Sequence, residues 1–368
     1  MSVRLGTSAL LVAVAACSGG TVESAPAVAP VPAATAVVDA PAPAPVERWL
    51  KGTTHVHAAP SGDSTAPVAE VIHWYETHNY DFIVLTDHNR VTELDAATPG
   101  EPYLRAPPVG LLVLAGAELT YNPPTCEPPP PLPDGKCRIH VNALAVTRRP
   151  GGRIEWADRG SSRRVDMYQR AFETSSALGG VAQLNHPQWH WGMNPDLLID
   201  LARRGLVLVE IANRQFDRWN AGDGTFPSME ALWDAALSAG VTLWGVATDD
   251  AHSYDAGGRY PAGGGWVMVW AARDPAAIRD ALIAGRFYAS TGVSLARAGA
   301  EGAELVVEVA ADSPGDHVIQ FIGDGHVLQE IRGRAARFPL VRAPGYVRAV
   351  VQRGDGARAW VQPARLAR

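Results

Sequence analysis

The chain has 368 residues, 47% hydrophobic and 19% charged, which is enough to bury one large core, alone or with a small satellite, and excludes disorder throughout. Its 38 acidic and 32 basic residues give a net charge of -6 and are spread along the chain without a basic run, so nucleic acid is not an expected partner. The 11 tryptophans and 29 prolines point to rigid loops and aromatic-lined surfaces.

The opening residues, MSVRLGTSALLVAVAAC, place Arg4 before an apolar segment from Ala9 to Ala16 and then Cys17. This reads as an export signal, because the segment is shorter than the roughly 20 residues a membrane-spanning helix needs. The run Val14-Ala15-Ala16-Cys17 resembles the lipobox of bacterial lipoproteins. That resemblance implies a signal over residues 1–17, lipidation of Cys17 and a membrane anchor. Ser18, where many such proteins carry a retaining aspartate, favours the outer membrane, on its periplasmic or cell-surface face. Residues 18–46 are nearly all Ala, Pro, Val, Ser and Thr and read as an extended tether.

From residue 47 to 292, short apolar runs alternate with amphipathic segments, the pattern of β/α units around a largely parallel sheet. Strands are expected at Gly52–Val56, Phe82–Thr86, Leu111–Leu119, Ile139–Thr147, Gly180–Leu184, Leu206–Ile211, Val241–Thr248 and Trp266–Trp270. Helices are expected from Pro67 to His78, Val165 to Leu178, Asp196 to Arg204, Ser228 to Ala239 and Pro275 to Ala284. About eight strands in this rhythm suggest a barrel, and no glycine-rich phosphate loop follows any of them. Residues 293–368 switch to alternating segments such as LVVEV and YVRAVVQ, with Asp-Gly turns at 324 and 355, and predict a small antiparallel β domain.

The chemistry sits where these strands end, the face on which barrel enzymes assemble their sites. His55 and His57 close the first strand, Asp87 and His88 the second and Glu118 the third. His140 begins the fourth, His186 follows the fifth in Asn-His-Pro, and Asp250 and His252 lie in Thr-Asp-Asp-Ala-His. Burying so many imidazoles and acids without a cation would cost several kcal/mol per unpaired group, so the set predicts bound metal.

These motifs, in order, resemble the polymerase-and-histidinol-phosphatase (PHP) superfamily over roughly Trp49 to Val293. The segment GRFYASTG at Gly285–Gly292 looks closest to its carbaryl-hydrolase-like branch. The resemblance implies a distorted (β/α)7-type barrel and two or three divalent ions of zinc, manganese or iron. One would be held by His55, His57, Glu118 and Asp250, a second by Glu118, His140 and His186, and a third by Asp63, His88 and His252. A metal-bridging hydroxide, its pKa lowered from about 16 toward 7, would be the nucleophile, with Glu118, Asp250 and His186 acting through it. Three divalent ions would outweigh the charge of Asp63, Glu118 and Asp250, which favours an anionic small-molecule ester and hence a phosphoesterase. A carbamate or carboxylic ester hydrolase is the alternative, and a non-catalytic metal- or glycan-binding surface lipoprotein the second.

Asp87 is a candidate to orient a ligand imidazole, or else a strand-end cap. His190, with Trp189 and Trp191, is a candidate for the substrate cleft, and Arg286 and Tyr288 for contact with an anion; a packed loop and a hinge are the respective alternatives. Cys126 and Cys137 flank a proline-rich segment and would pair in an oxidising compartment, the alternative being two free thiols. Closing that loop would contribute about 2 to 3 kcal/mol.

Overall fold

The computed structural model describes residues 46–94, 103–105, 110–255 and 257–366. The signal segment, Cys17 and the tether to residue 45 lie outside the described residues. Among the described residues, no helix is long and apolar enough to cross a membrane.

The N-terminal two-thirds contains β1 (Arg48–Val56), β2 (Phe82–Leu85), β3 (Tyr103–Arg105), β4 (Leu112–Tyr121), β5 (Ile139–Leu144), β6 (Val181–Leu184), β7 (Leu208–Asn213), β8 (Trp244–Thr248) and β9 (Trp266–Ala271). Helices α1 (Val68–Thr77), α2 (Arg164–Ala177), α3 (Pro195–Arg203), α4 (Asp217–Ala221), α5 (Met229–Ser238) and α6 (Pro275–Ile283) connect them. Their starts follow local chemistry. The side chains of Asn194, Ser228 and Asp274 accept from backbone N–H groups in the first turns of α3, α5 and α6, and Pro195 and Pro275 open two of these helices. The central strands are uniformly buried, as in the run Phe82–Leu85, because helices or other strands cover both faces.

One 14-stranded sheet carries this region, in the order β9-β1-β2-β4-β5-β6-β7-β8. The expected, largely parallel arrangement requires correction. Pairs β1–β2, β2–β4, β6–β7 and β7–β8 are parallel, but β5 runs antiparallel to both β4 and β6, and β9 antiparallel to β1. The reason is the connection: no helix lies between Tyr121 and Ile139, and without a crossover the chain returns alongside the strand it left. The sheet curls until its β8 end meets β1 in a bridge between Val56 and Ala251, where His57 N donates to Ala251 O at 3.0 Å.

The same sheet continues into the C-terminal region. Strand β10 (Phe287–Ser290) pairs with β9 on one side and β17 (Arg358–Ala364) on the other, followed by β16 (Val347–Arg353), β13 (His317–Gly323) and β14 (His326–Arg332). A separate three-stranded antiparallel sheet of β11 (Leu295–Glu301), β12 (Glu304–Val309) and β15 (Ala335–Pro339) packs over it around Leu305, Val307, Phe321 and Phe338. The β domain is thus an extension of the barrel sheet with a second layer, not a body joined by a bare linker.

A buried ionic clamp ties α5 to β16. Arg348, 1% exposed, donates to both carboxylate oxygens of Asp234 at 2.7 Å and to Glu230 at 3.1 Å, while Tyr346 donates to Asp234 at 2.6 Å. Breaking one side of such a pair strands the other charge. Replacing Arg348 by Met is expected to destabilise the protein by roughly 3–5 kcal/mol in urea unfolding, and adding Asp234→Leu to recover most of that loss.

Candidate functional site

Every strand that ends at one mouth of the barrel delivers a polar side chain there. The reversed direction of β5 explains His140: because β5 is antiparallel to β4, its first residues lie level with the last residues of β4, in the register Thr120↔His140. A histidine at a strand start and acids at strand ends therefore meet.

Glu118 is the centre. Its Oε2 lies 3.5 Å from His55 Nε2, 3.4 Å from His57 Nε2 and 2.8 Å from His88 Nδ1. Its Oε1 lies 2.9 Å from His140 Nδ1 and 3.5 Å from His186 Nε2. Asp250 faces it, with Oδ1 3.2 Å from the Nε2 atoms of both His55 and His57. Asp63 joins His88 (2.9 Å) and His252 (3.2 Å) at the outer edge.

Four groups of donors close enough to share a cation result: His57, Asp63, His88 and His252; His55, His186 and Asp250; His55, His57 and Glu118; and Glu118, His140 and His186. All nine sequence-predicted donors come together. The grouping differs at two points: His57 also reaches the outer set, which the sequence assigned to Asp63, His88 and His252 alone, and His186 joins His55 and Asp250.

The electrostatics follow from crowding. Burial resists ionisation of Glu118 and Asp250, but nearby imidazoles outweigh it and hold both carboxyls well below the usual range. Burial also resists charge on His88, yet Glu118 and Asp63 raise it to about 10, while His55 is held well above its ordinary value by Asp250, Glu210 and Glu118. Burial dominates at His57 and His140, pushed down to about 3 and about 4.

The residues fit divalent metal. The Nε2 atoms of His55 and His57 are buried and make no hydrogen bond, and both are aimed at the oxygens of Glu118 and Asp250. Orphaned buried nitrogens are costly, and imidazole with carboxylate is a donor set that zinc, manganese and iron accept.

The supporting polar groups include one that sequence reasoning missed. Glu210, fully buried in β7, accepts from His55 Nδ1 (2.7 Å), Thr248 Oγ1 (2.8 Å), the backbone N–H of His186 (2.6 Å) and Asn213 Nδ2 (2.9 Å). The same Asn213 nitrogen reaches Asp250 at 3.3 Å. One carboxylate therefore positions groups from three strand ends, including His186, whose φ of 24° is sterically unfavourable for a residue with a Cβ. The only signal in the sequence was an acid inside an apolar strand, Val-Glu-Ile. Ser61, Thr120 and Asn122 contact His57, His88 and His140 at 2.9, 2.7 and 2.9 Å.

Four of the candidates take up other contacts. Asp87 touches no imidazole; its carboxylate accepts from Ala58 N at 2.7 Å and from Thr92 Oγ1, so it caps the loop after β1. Burial, partly offset by these donors, raises it to about 6. His190 stacks beside Trp189 at 5.5 Å, and Trp189, not His190, lines the mouth. Arg286 pairs with Glu47 at 3.5 Å, and Tyr288 is fully buried beside Trp49, its hydroxyl accepting from Leu295 N at 2.8 Å. Arg286 is level with Trp270 and Trp49, six residues back along the sheet from His55 and some 20 Å away at roughly 3.3 Å per residue, and Tyr288 is level with Lys51, four residues back. Cys126 and Cys137 are joined by a disulfide, with Cα atoms 5.9 Å apart.

No family model matches the chain, and no curated protein matches it. Among solved structures it is similar to a two-domain protein from Bacteroides vulgatus ATCC 8482 that contains a predicted PHP-like metal-dependent phosphoesterase. The two are 17% identical, the match covers 86% of this chain and 87% of the other, and the TM-score is 0.44.

Glu210 supplies the sharpest check on this geometry. Glu210→Gln keeps the shape but removes the charge that holds the His55 proton on Nδ1, and is expected to weaken divalent-metal binding roughly 10–100-fold in a chelator competition. Its circular dichroism spectrum should match that of the wild type.

Proposed function

We propose that the chain is a metal-dependent hydrolase of phosphoester bonds. The observation that carries the reading is the position of Glu118: buried, with each oxygen facing a different set of imidazoles, it is placed to join two adjacent cations. His55, His57, Glu118 and Asp250 would hold one cation, Glu118, His140 and His186 another, and Asp63, His88 and His252, with His57, a third. When bound, such ions supply Lewis acidity that activates water near neutral pH and offsets charge on an oxyanion.

The chain's own residues do the rest. Glu210, Ser61, Thr120 and Asn122 fix ring orientations, so the donors need little rearrangement. Trp189 and Phe216 pack against His186 at 5.4 and 4.4 Å and keep water from its outer face. Only Asp63, Glu118 and Asp250 among the donors are anionic, which leaves positive charge for an anionic substrate. The aromatic wall is the observation that favours the second reading, cleavage of a carbamate or carboxylic ester with an apolar group.

Export and lipid anchoring at Cys17 belong to the same proposal. The Cys126–Cys137 disulfide supports it, because such bonds persist in oxidising compartments.

Assayed with Mn2+ or Zn2+ against p-nitrophenyl phosphate, bis-p-nitrophenyl phosphate, p-nitrophenyl acetate and naphthyl carbamate, the protein is expected to turn over the phosphoesters fastest. Glu118→Gln should lower kcat by more than the roughly 100-fold that loss of an outer partner costs. Arg286→Ala, at the far end of the barrel, should leave it unchanged. Turnover of the carbamate or acetate alone would establish the second reading instead.

A further inference from the structure

The cavity above the donors holds about 860 Å³, far more than one phosphoryl group fills and within the range of sites for whole small molecules. One side is aromatic. Trp189 stands edge-on to His140 and His186 at 5.7 and 5.4 Å, Phe216 stacks on His186 at 4.4 Å, and Trp219 continues the wall 5.8 Å from Phe216. A flat body lying on this wall would have one end at the donors.

Its other end would meet a cationic rim. Arg159, in the connection from β5 to α2, holds its guanidinium over the ring of Tyr121 at 5.9 Å. Arg259, between β8 and β9, lies over Tyr260 at 4.6 Å, and Tyr260 stands 5.7 Å from His252. Among the described residues, neither guanidinium has a carboxylate partner, although acids outnumber bases in this chain. Arg153, also on the rim, is paired with Glu155 at 3.2 Å. Two arginines backed by rings and left unpaired, on loops flanking the His140 and His252 sides of one cavity, are charged forks without an internal acceptor. Neither is one of the donors, so they offer an anion a second place on this cavity.

We propose that the substrate carries a second anionic group beyond the scissile ester, that Arg159 and Arg259 select for it, and that a ring lies on the Trp189–Phe216–Trp219 wall between the two ends. The ligand class is a ring-bearing phosphoester with a distal carboxylate, sulfonate or phosphate. For its first anion this rests on the phosphoester reading above.

The test is calorimetric binding of two non-hydrolysable probes, benzylphosphonate and 4-carboxybenzylphosphonate, to the full chain loaded with Mn2+. The probes differ only in the distal carboxylate. The carboxylated probe is expected to bind about tenfold tighter at low salt, an advantage that shrinks as ionic strength rises. Arg159→Ala and Arg259→Ala should each reduce that advantage and the double variant remove it. Both side chains are exposed, so the variants should fold, and an unchanged thermal midpoint checks this. Equal affinity of the wild type for the two probes would overturn this proposal and leave the phosphoester reading intact. A fall in affinity for both probes alike in the arginine variants would overturn it too, since it would place these arginines on the first anion. Failure of both probes to bind the metal-loaded protein would overturn both readings.

Discussion

The buried negative charge of Glu118 and Asp250 is the constraint around which the rest is arranged. A carboxylate taken out of water without partners costs several kcal/mol, and here two of them lie within one barrel mouth. Imidazoles drawn from five separate strand ends offset that cost, and each needs its own second contact to be held in place. The polar layer beneath serves the same end: Asn185 donates to Glu118 and to Asn142, and Thr54 donates to Gln183 in the otherwise apolar interior. Such networks are stabilising only when every member is satisfied, and the two imidazole nitrogens left over are those that point at the shared oxygens.

The topology follows from that demand. A uniformly parallel barrel would place only strand ends at the mouth, but the reversal of β5 lets a strand beginning deliver His140 there as well. The long connection before it contains the disulfide and Asn122, which contacts His140, so one excursion serves both strand direction and ligand orientation. Beyond β1, β9 and β10 carry the sheet into the C-terminal strands, and Arg348 locks those strands to α5.

Much of this was legible in the chain itself. The predicted strands and helices lie within four residues of the observed ends, because proline and Asn, Ser or Asp caps start several of the helices and unbroken apolar runs form the strands. The donors were legible for a related reason: His, Asp and Glu are rare at the ends of buried strands unless something there requires them. Asp87 looked equivalent to its neighbour His88 by position. Adjacent residues at a strand end point in opposite directions, however, and its carboxylate turned to backbone and hydroxyl donors.

Residue type and strand periodicity, both local properties, determined which elements form and which side chains are available for chemistry. Tertiary structure alone decided which of those side chains share a space. It sent β5 backwards, brought Glu210 beneath His55 and His186 from a strand whose sequence looked merely apolar, and carried Arg286 and Tyr288 back along the sheet from His55. The reason is physical: side-chain alternation and capping act over a few residues, whereas strand pairing joins positions more than a hundred residues apart, and nothing in the local pattern encodes which strand will lie next to which.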